Sequence, residues 1–203
     1  MAPDFEGAKA YALERLEREL GPELCYHSLG HTRDDVLPAA ERLAALAGIT
    51  GEALLLLRTA ALYHDIGYVE GRVEHEATGA RIVREVLPRF GYSPEQIDAI
   101  VGMIMATRLP QSPRTLLEQI LADADLDVLG RDDFWARSHV LRAELAVFAP
   151  PVTDREWYDG QVSFIQAHCY WTEAARTLRG PGKQANLAAV VRLRAQAAPE
   201  EET

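Results

Sequence analysis

A histidine and an aspartate stand side by side at His64-Asp65, directly after an apolar run from Ala53 to Leu62. That run is long enough to form a buried helix. An imidazole and a carboxylate buried at the end of such a helix cost several kcal/mol unless both find partners. Because both groups are ligands of Zn, Mn and Fe ions, the pair indicates a divalent metal site. The alternative is a His–Asp hydrogen bond at a helix end.

Further imidazole and carboxylate groups fall at the ends of neighbouring predicted helices. His27 and His31 are four residues apart, and they would share one face if residues 25–32 are helical. Ligands from such separate segments converge only where several helices pack around one point. The remaining candidates are His75, Glu76, Asp123 and Asp125.

The elements that would position these groups are helices, since no stretch shows strand alternation. Predicted helices span about residues 4–20, 34–47, 50–64, 75–87, 93–107, 112–125, 132–147, 153–178 and 184–195. Ser93 and Thr153 are predicted N-caps, and Gly180-Pro181-Gly182 is predicted to break the chain between the last two helices. The sequence therefore predicts an all-α fold, a single helical bundle of about 8–10 helices.

Pro150-Pro151 is the one plausible internal seam. It would separate a core of about residues 22–148 from a C-terminal helical extension of about residues 153–196. The chain has 203 residues, of which 48% are hydrophobic, and this size suits one domain with such an extension.

The net charge of −10 argues against general binding to nucleic acids or to anionic membranes. It does not oppose a small phosphorylated substrate, because a bound metal supplies positive charge locally. The N-terminus lacks an export signal, and no apolar stretch reaches about 18 residues. Cys25 and Cys169 lie far apart in the sequence and are interpreted as reduced thiols, so we expect a cytoplasmic protein.

The order His … His-Asp … Asp resembles that of the HD superfamily of metal-dependent phosphohydrolases, over about residues 26–129. Residues 63–67 (YHDIG) are similar to the HDIG variant of the motif. Residues 75–80 are similar to the His-x-x-x-Gly-Ala segment that follows it, and residues 123–126 to the Asp-Ala-Asp segment. The resemblance implies a helical bundle of the HD-domain type, and the full set in order is far more specific than any one piece.

The resemblance also implies the ligands of one divalent transition metal, which would be Mn, Fe, Ni, Zn or Co. These ligands are His31, His64, Asp65 and Asp123. Asp125 would then point to another helix face as a solvated or capping residue. A second ion, such as Mg or Mn, would depend on Asp65, on His75 and on water, because residues 102–107 contain no histidine.

The expected reaction is hydrolysis of a phosphate ester. The metal would lower the pKa of its bound water toward about 7 and polarise the phosphoryl oxygens. Asp65 would accept the proton of the water, and protonated His27 or His75 would donate one to the leaving oxygen. Residues 26–31 are similar to a segment of cyclic-nucleotide phosphodiesterases whose first histidine is the proton donor. A hydrogen-bonding role at a helix end is the alternative for His27.

Three more residues have weaker predicted roles. Glu76 would orient an imidazole or a water, and compensation of a helix dipole is its simpler alternative. Arg108 and Lys183 are candidates for contacts with substrate phosphate, and for both the alternative is a solvated surface charge.

Two functions from different classes remain open. The first is a cytoplasmic metal-dependent phosphohydrolase that acts on a nucleotide or another small phosphorylated metabolite. The second is a metal-containing nucleotide-sensing or regulatory module without turnover. The complete ligand set and His27 favour the enzyme. The sequence leaves open the substrate, the metal and the oligomeric state, a homo-oligomer included.

Overall fold

The structure is a computed structural model, and it describes residues 2–197. This range contains nine α-helices and no β-strand, which confirms the predicted all-α fold. The helices are α1 Phe5–Glu19, α2 Leu37–Leu46, α3 Gly51–Tyr63, α4 His75–Val86, α5 Pro94–Thr107, α6 Leu116–Asp125, α7 Phe134–Phe148, α8 Asp154–Ala167 and α9 Glu173–Gln196. A π-helical segment spans His31–Val36, and 3₁₀ turns span Ile66–Val69, Leu87–Phe90 and Asp127–Gly130.

The chain divides into two compact units, Met1–Leu126 and Asp127–Thr203. The first unit contains every candidate metal ligand, and the second contains Lys183. The division lies between Leu126 and Asp127, upstream of the predicted seam at Pro150-Pro151. The predicted single domain with a C-terminal extension stays a prediction. Among the described residues, no helix combines the length and apolarity needed to cross a membrane.

Helix α3 is the centre of the first unit. From Thr59 to Tyr63 every one of its residues is fully buried. Thr50 occupies the predicted N-cap position of this helix, although its side chain makes no capping hydrogen bond. The Tyr63 hydroxyl donates to the carbonyl oxygen of Ala8 at 2.8 Å and so ties α3 to α1. The end of α3, where His64 and Asp65 follow, is therefore fixed inside the unit.

Several helices begin at a capping box. One of these boxes sets the start of α6, which the sequence prediction places at the wrong residue. The predicted Ser93–Gln96 box begins α5. Helix α6 begins after Thr115, whose hydroxyl accepts from the Glu118 amide, and not at Ser112. Ser112-Pro113 is only a local signal for a helix start. The Thr115–Glu118 box satisfies two amides at the helix N-terminus at once, so it fixes the start of α6.

The second unit corrects the prediction for residues 153–195. Helix α8 ends at Ala167, and α9 begins after Thr172, which caps it through the amide of Ala175. Helix α9 then continues through Pro181, where a break is predicted. A proline removes one helical hydrogen bond, but contacts within the unit can compensate.

Two contacts support α9 across the Gly-Pro-Gly segment. Arg179 donates to both carboxylate oxygens of Asp127, at 2.7 and 2.9 Å. Gly182 packs directly on Gly130, and a Cβ added to Gly182 would lie 2.2 Å from the Gly130 carbonyl oxygen. Gly182 therefore allows the close approach of two backbones. In the sequence, a Gly-Pro-Gly segment with this role looks the same as one that breaks a helix.

Candidate metal centre

His64 lies at the C-terminal end of α3 and is fully buried. Its Nδ1 lies 2.8 Å from the carbonyl oxygen of Ala61 and donates to it. That hydrogen bond fixes the tautomer, so Nε2 keeps its lone pair and is available as a ligand. Asp65 follows at 5% exposure and precedes the 3₁₀ turn Ile66–Val69.

His31 begins the π-helical segment and is 4% exposed. Its Nδ1 faces the carboxylate of Asp35 at 3.9 Å, so Nε2 points the other way, toward the end of α3. Wide π-helical turns of this kind often lie at functional sites. His27 precedes the helical residues, so the predicted shared helix face is wrong. The rings of His27 and His31 are nevertheless 6.1 Å apart, because the chain folds back at residues 25–28.

Four ligand atoms from three segments of the chain meet at this point. Asp65 Oδ2 lies 3.2 Å from His64 Nε2 and 3.7 Å from His31 Nε2. Asp125 Oδ1 lies 3.5 Å from His64 Nε2 and 3.4 Å from His31 Nε2. His31, His64 and Asp65 form a group whose ligand atoms all lie within 4.8 Å of one another.

These separations fit donors arranged around one cation. Two donors that each bind an ion at about 2.1 Å lie roughly 3 to 4 Å apart. His64 Nε2 and Asp65 Oδ2 are buried and have no hydrogen-bond partner. Unsatisfied buried polar atoms are costly, and two of those among the described residues belong to adjacent members of the same cluster of donors, His64 and Asp65. The chemistry and spacing of these donors therefore fit a divalent metal.

The structure corrects the interpretation of the Asp-Ala-Asp segment. Asp125, expected to be solvated or capping, directs its carboxylate at both imidazoles and is 20% exposed. Asp123 is fully buried on the same helix. Two residues correspond to about 200° around an α-helix, so Asp123 and Asp125 face different sides of α6. Asp125 is therefore the residue we take forward as the fourth donor.

His75 and Glu76 begin α4 beside the pair. His75 Nε2 lies 3.4 Å from Asp65 Oδ1, so the two oxygens of Asp65 face different partners. Glu76 Oε1 lies 3.5 Å from the same His75 nitrogen, and Glu76 is 8% exposed. Since His75 occupies Oδ1, it leaves Oδ2 to face the other imidazoles. A second metal ion at this side stays a prediction.

Gly67 explains how α4 comes so close. A Cβ added to Gly67 would lie 1.9 Å from the carbonyl oxygen of His75 and 2.8 Å from the amide of Gly79. Only a glycine lets the 3₁₀ turn after Asp65 lie directly on the first turns of α4. The two glycines of the YHDIG and HEATGA segments thus place His75 against Asp65.

Opposite charges outweigh burial in this cluster. Burial alone would lower the pKa of His64, but Asp65 and Asp125 raise it well above its usual value. Burial would raise the pKa of Asp125, but the hydrogen bond from His31 and the charge of the nearby His64 ring lower it. Both carboxylates thus stay ionised at neutral pH. Two negative charges facing two imidazoles suit a dication, which takes the place of the imidazole protons.

The two predicted phosphate-binding cations have different surroundings. Arg108 is half exposed, and its Nη2 donates to Glu74 at 3.0 Å, one residue before His75. Lys183 lies in the second unit, where it is 7% exposed and donates to the carbonyl oxygen of His168. The surface-charge alternative for Lys183 is therefore wrong. Contact of either cation with a substrate stays a prediction.

Sequence reasoning assigned no role to two aromatic rings of the site. Tyr26 lies 5.0 Å from the ring of His27 and 5.3 Å from that of His31. Tyr68 contacts the rings of both His27 and His75. The only sequence signal was their position next to the motif residues.

Comparison with known proteins finds a family match over part of the chain. The model of the HD domain matches residues 32–127. A bifunctional uridylyltransferase/uridylyl-removing enzyme from Cereibacter sphaeroides is 36% identical over 75 residues, which cover 36% of this chain and 7% of that relative. The chain thus spans only a small part of the length of this relative.

Two solved structures share the fold. A predicted HD superfamily hydrolase from an uncultured Thermotogales bacterium has a TM-score of 0.64 and 23% identity, over 96% of this chain and 93% of that one. A protein from Lactobacillus plantarum has a TM-score of 0.67 and 18% identity, over 95% and 96%. At such identities the likeness concerns the fold alone. The matched residues 32–127 contain the His-Asp pair and Asp125, so this segment of the chain matches the HD domain.

Proposed function

We propose that this protein is a metal-dependent hydrolase that cleaves a phosphate ester of a nucleotide or another small phosphorylated metabolite. The observation that carries the proposal is the set of four donor atoms, from His31, His64, Asp65 and Asp125, that lie 3.2–3.7 Å apart across the imidazole–carboxylate pairs. These four residues would hold one divalent metal. When bound, the metal supplies an acidified water and polarises a phosphoryl oxygen.

The side chains around the donors divide the remaining work. His75 holds Asp65 through Oδ1 and keeps Oδ2 directed at the imidazoles. Glu76, on the same His75 nitrogen, orients that ring. Because His75 faces two carboxylates, we assign the proton for the leaving oxygen to the half-buried His27. A positioned proton donor is worth about 10²–10⁴ in rate.

The substrate class has two lines of support. The relative named as a uridylyl-removing enzyme favours a nucleotide-containing substrate, since a uridylyl group is a nucleotide. The net charge of −10 favours a small molecule over nucleic acid or a membrane surface. We propose the cytoplasm as the location and Arg108 as a contact for the substrate phosphate; Lys183 is a weaker candidate.

Hydrolysis of p-nitrophenyl phosphate and of a panel of nucleotides, with Mn²⁺ added, tests the proposal. We expect metal-dependent turnover that Asp65→Ala abolishes. The matched control is Asp98→Ala, which removes a carboxylate that is 74% exposed and lies on α5. Metal-dependent nucleotide binding without turnover of any ester would instead support the sensing module.

A further inference from the structure

Tyr68 forms the middle of three aromatic rings in contact. Its ring lies 4.6 Å from that of His27, with an interplanar angle of 19°. The Tyr68 ring also lies 4.1 Å from the ring of His75, with an interplanar angle of 31°. Tyr68 itself is 9% exposed and sits in the 3₁₀ turn that follows Asp65. One side chain thus contacts both imidazoles that flank the metal donors.

His27 and His75 both lie at or outside the end of a helix. His27 lies outside the helices, in a bend between residues 25 and 28, so no helical turn restricts its side chain. His75 is the first residue of α4 and follows Glu74, which has a left-handed backbone. Stacked and tilted aromatic pairs at these distances prefer a defined relative orientation. Contact with Tyr68 therefore restricts rings that their own backbone does not.

The position of Tyr68 is itself fixed. Gly67 packs on the His75 carbonyl so closely that a Cβ there would lie 1.9 Å from the oxygen. The turn that carries Tyr68 and the first turn of α4 therefore cannot shift independently. Tyr63 and Tyr92 lie away from these imidazoles, and their hydroxyls contact Ala8 and Thr59 in the interior of the unit.

We propose that Tyr68 is a positioning residue that sets the ring orientations of His27 and His75. The inference rests on the proposed function, in which His27 carries the proton for the leaving oxygen and His75 holds Asp65. The ring of Tyr68 thus couples the orientation of the proton donor His27 to the orientation of His75, the residue that orients Asp65. Tyr68 touches no reacting atom in this proposal.

Three variants of the full chain test the role of the ring. Tyr68→Phe keeps the ring and should retain kcat within about twofold. Tyr68→Leu removes the ring and should lower kcat about 10- to 100-fold, as expected for a misplaced catalytic group, while KM changes little. Tyr92→Leu is the matched control, since it removes a tyrosine that is 4% exposed and outside the site. Its kcat should stay at the wild-type level.

NMR spectra of the histidine ring protons supply a measurement that needs no turnover. In the wild type, the signals of His27 and His75 should lie upfield of exposed histidines, because an aromatic face shields them. His27→Gln and His75→Gln assign these signals. In Tyr68→Leu both signals should move toward the position of the exposed His139, and in Tyr92→Leu they should not.

The outcomes separate the two proposals. Wild-type kcat in Tyr68→Leu, equal losses in the Phe and Leu variants, or unshifted His27 and His75 signals in the wild type would overturn the role of Tyr68. Absence of turnover by the wild type on every ester would count against the proposed function alone, and the spectra would then decide the orientation claim.

Discussion

His64 in the first unit is fully buried and His168 in the second is half-buried, and their pKa values shift in opposite directions. Burial would lower the pKa of His64, but two carboxylates raise it well above the usual value. Burial lowers the pKa of His168 to about 4, and the ammonium of Lys183 adds to that effect. Both ring nitrogens of His168 are buried and have no hydrogen-bond partner.

The difference shows what makes a buried imidazole a metal ligand. The interior alone keeps an imidazole neutral, as in His168, but provides no negative charge that a cation needs. Near His64, Asp65 and Asp125 provide that charge at 3.2 and 3.5 Å. These two histidines of one chain therefore indicate different tasks, and the neighbouring carboxylates distinguish them.

The largest expected effect comes from removing one of those carboxylate charges. Asp125→Asn should lower metal affinity more than about 100-fold, beyond the range seen for residues that only orient a ligand. Asp123→Asn is the paired variant. It should leave metal affinity close to wild type and instead cost about 1–3 kcal/mol of stability, because Asp123 is fully buried. Metal titration and urea unfolding measure the two effects. The reverse pattern would assign the fourth donor to Asp123.

The second prediction concerns the residue that orients Asp65. His75→Gln should lower metal affinity or kcat by about 10- to 100-fold, because Asp65 loses the partner of its Oδ1. The control is His139→Gln, which changes an exposed histidine of α7. Equal kinetics and metal affinity in both variants would mean that His75 does not orient Asp65.

The third prediction uses the low pKa of His168. An unfolded chain binds the proton at about 6.5 and the folded one at about 4, so protonation favours unfolding. The contribution of neutral His168 to the free energy of unfolding is fully present above pH 6.5 and is lost as the pH falls toward 4. We expect a loss of about 1–2 kcal/mol, a value reduced for the partial exposure of the ring. Urea unfolding at pH 7.5 and 4.5 measures it.

The variant His168→Phe isolates this contribution, because it removes the titrating group and leaves the carboxylates of the chain unchanged. The pH dependence of its stability should be flatter than that of the wild type. Identical slopes between pH 7.5 and 4.5 would show that His168 is not held neutral in the folded protein.

The smallest expected effect lies at the surface. Arg108 and Glu74 are 49% and 61% exposed, so Arg108→Gln should change stability by less than about 1 kcal/mol. If Arg108 contacts substrate phosphate, KM should rise about threefold or more while kcat holds. Arg84→Gln, on the similarly exposed Arg84 of α4, is the control. An unchanged KM in Arg108→Gln would remove Arg108 from the substrate site.

Local signals in the sequence predicted much of the first unit. Hydrophobic spacing and capping residues gave the helical class, and the His-Asp pair marked the end of the most buried helix. His31 was identified through the order of the motifs and not through its own surroundings. The resemblance to the family placed Asp123 among the ligands, and helix periodicity alone did not show that the carboxylate of Asp125 is the one that faces the imidazoles.

The remaining errors share a physical cause, which is contact between segments distant in sequence. Pro181 stays inside α9 because Gly182 packs on Gly130 and Arg179 binds Asp127. The role proposed for Tyr68 depends on its contacts with the rings of His27 and His75, which only the folded structure shows. Local sequence patterns do not contain such contacts. A glycine at a close approach between two backbones, such as Gly67, is at least visible in the sequence.

Anomalous X-ray diffraction from crystals of the full chain grown with Mn²⁺ tests the central claim most directly. The account predicts one strong peak in the first unit, within coordination distance of Nε2 of His31 and His64 and of the carboxylates of Asp65 and Asp125. A peak bound by Asp123 in place of Asp125, or no peak beside His64 and Asp65 at saturating Mn²⁺, would contradict it.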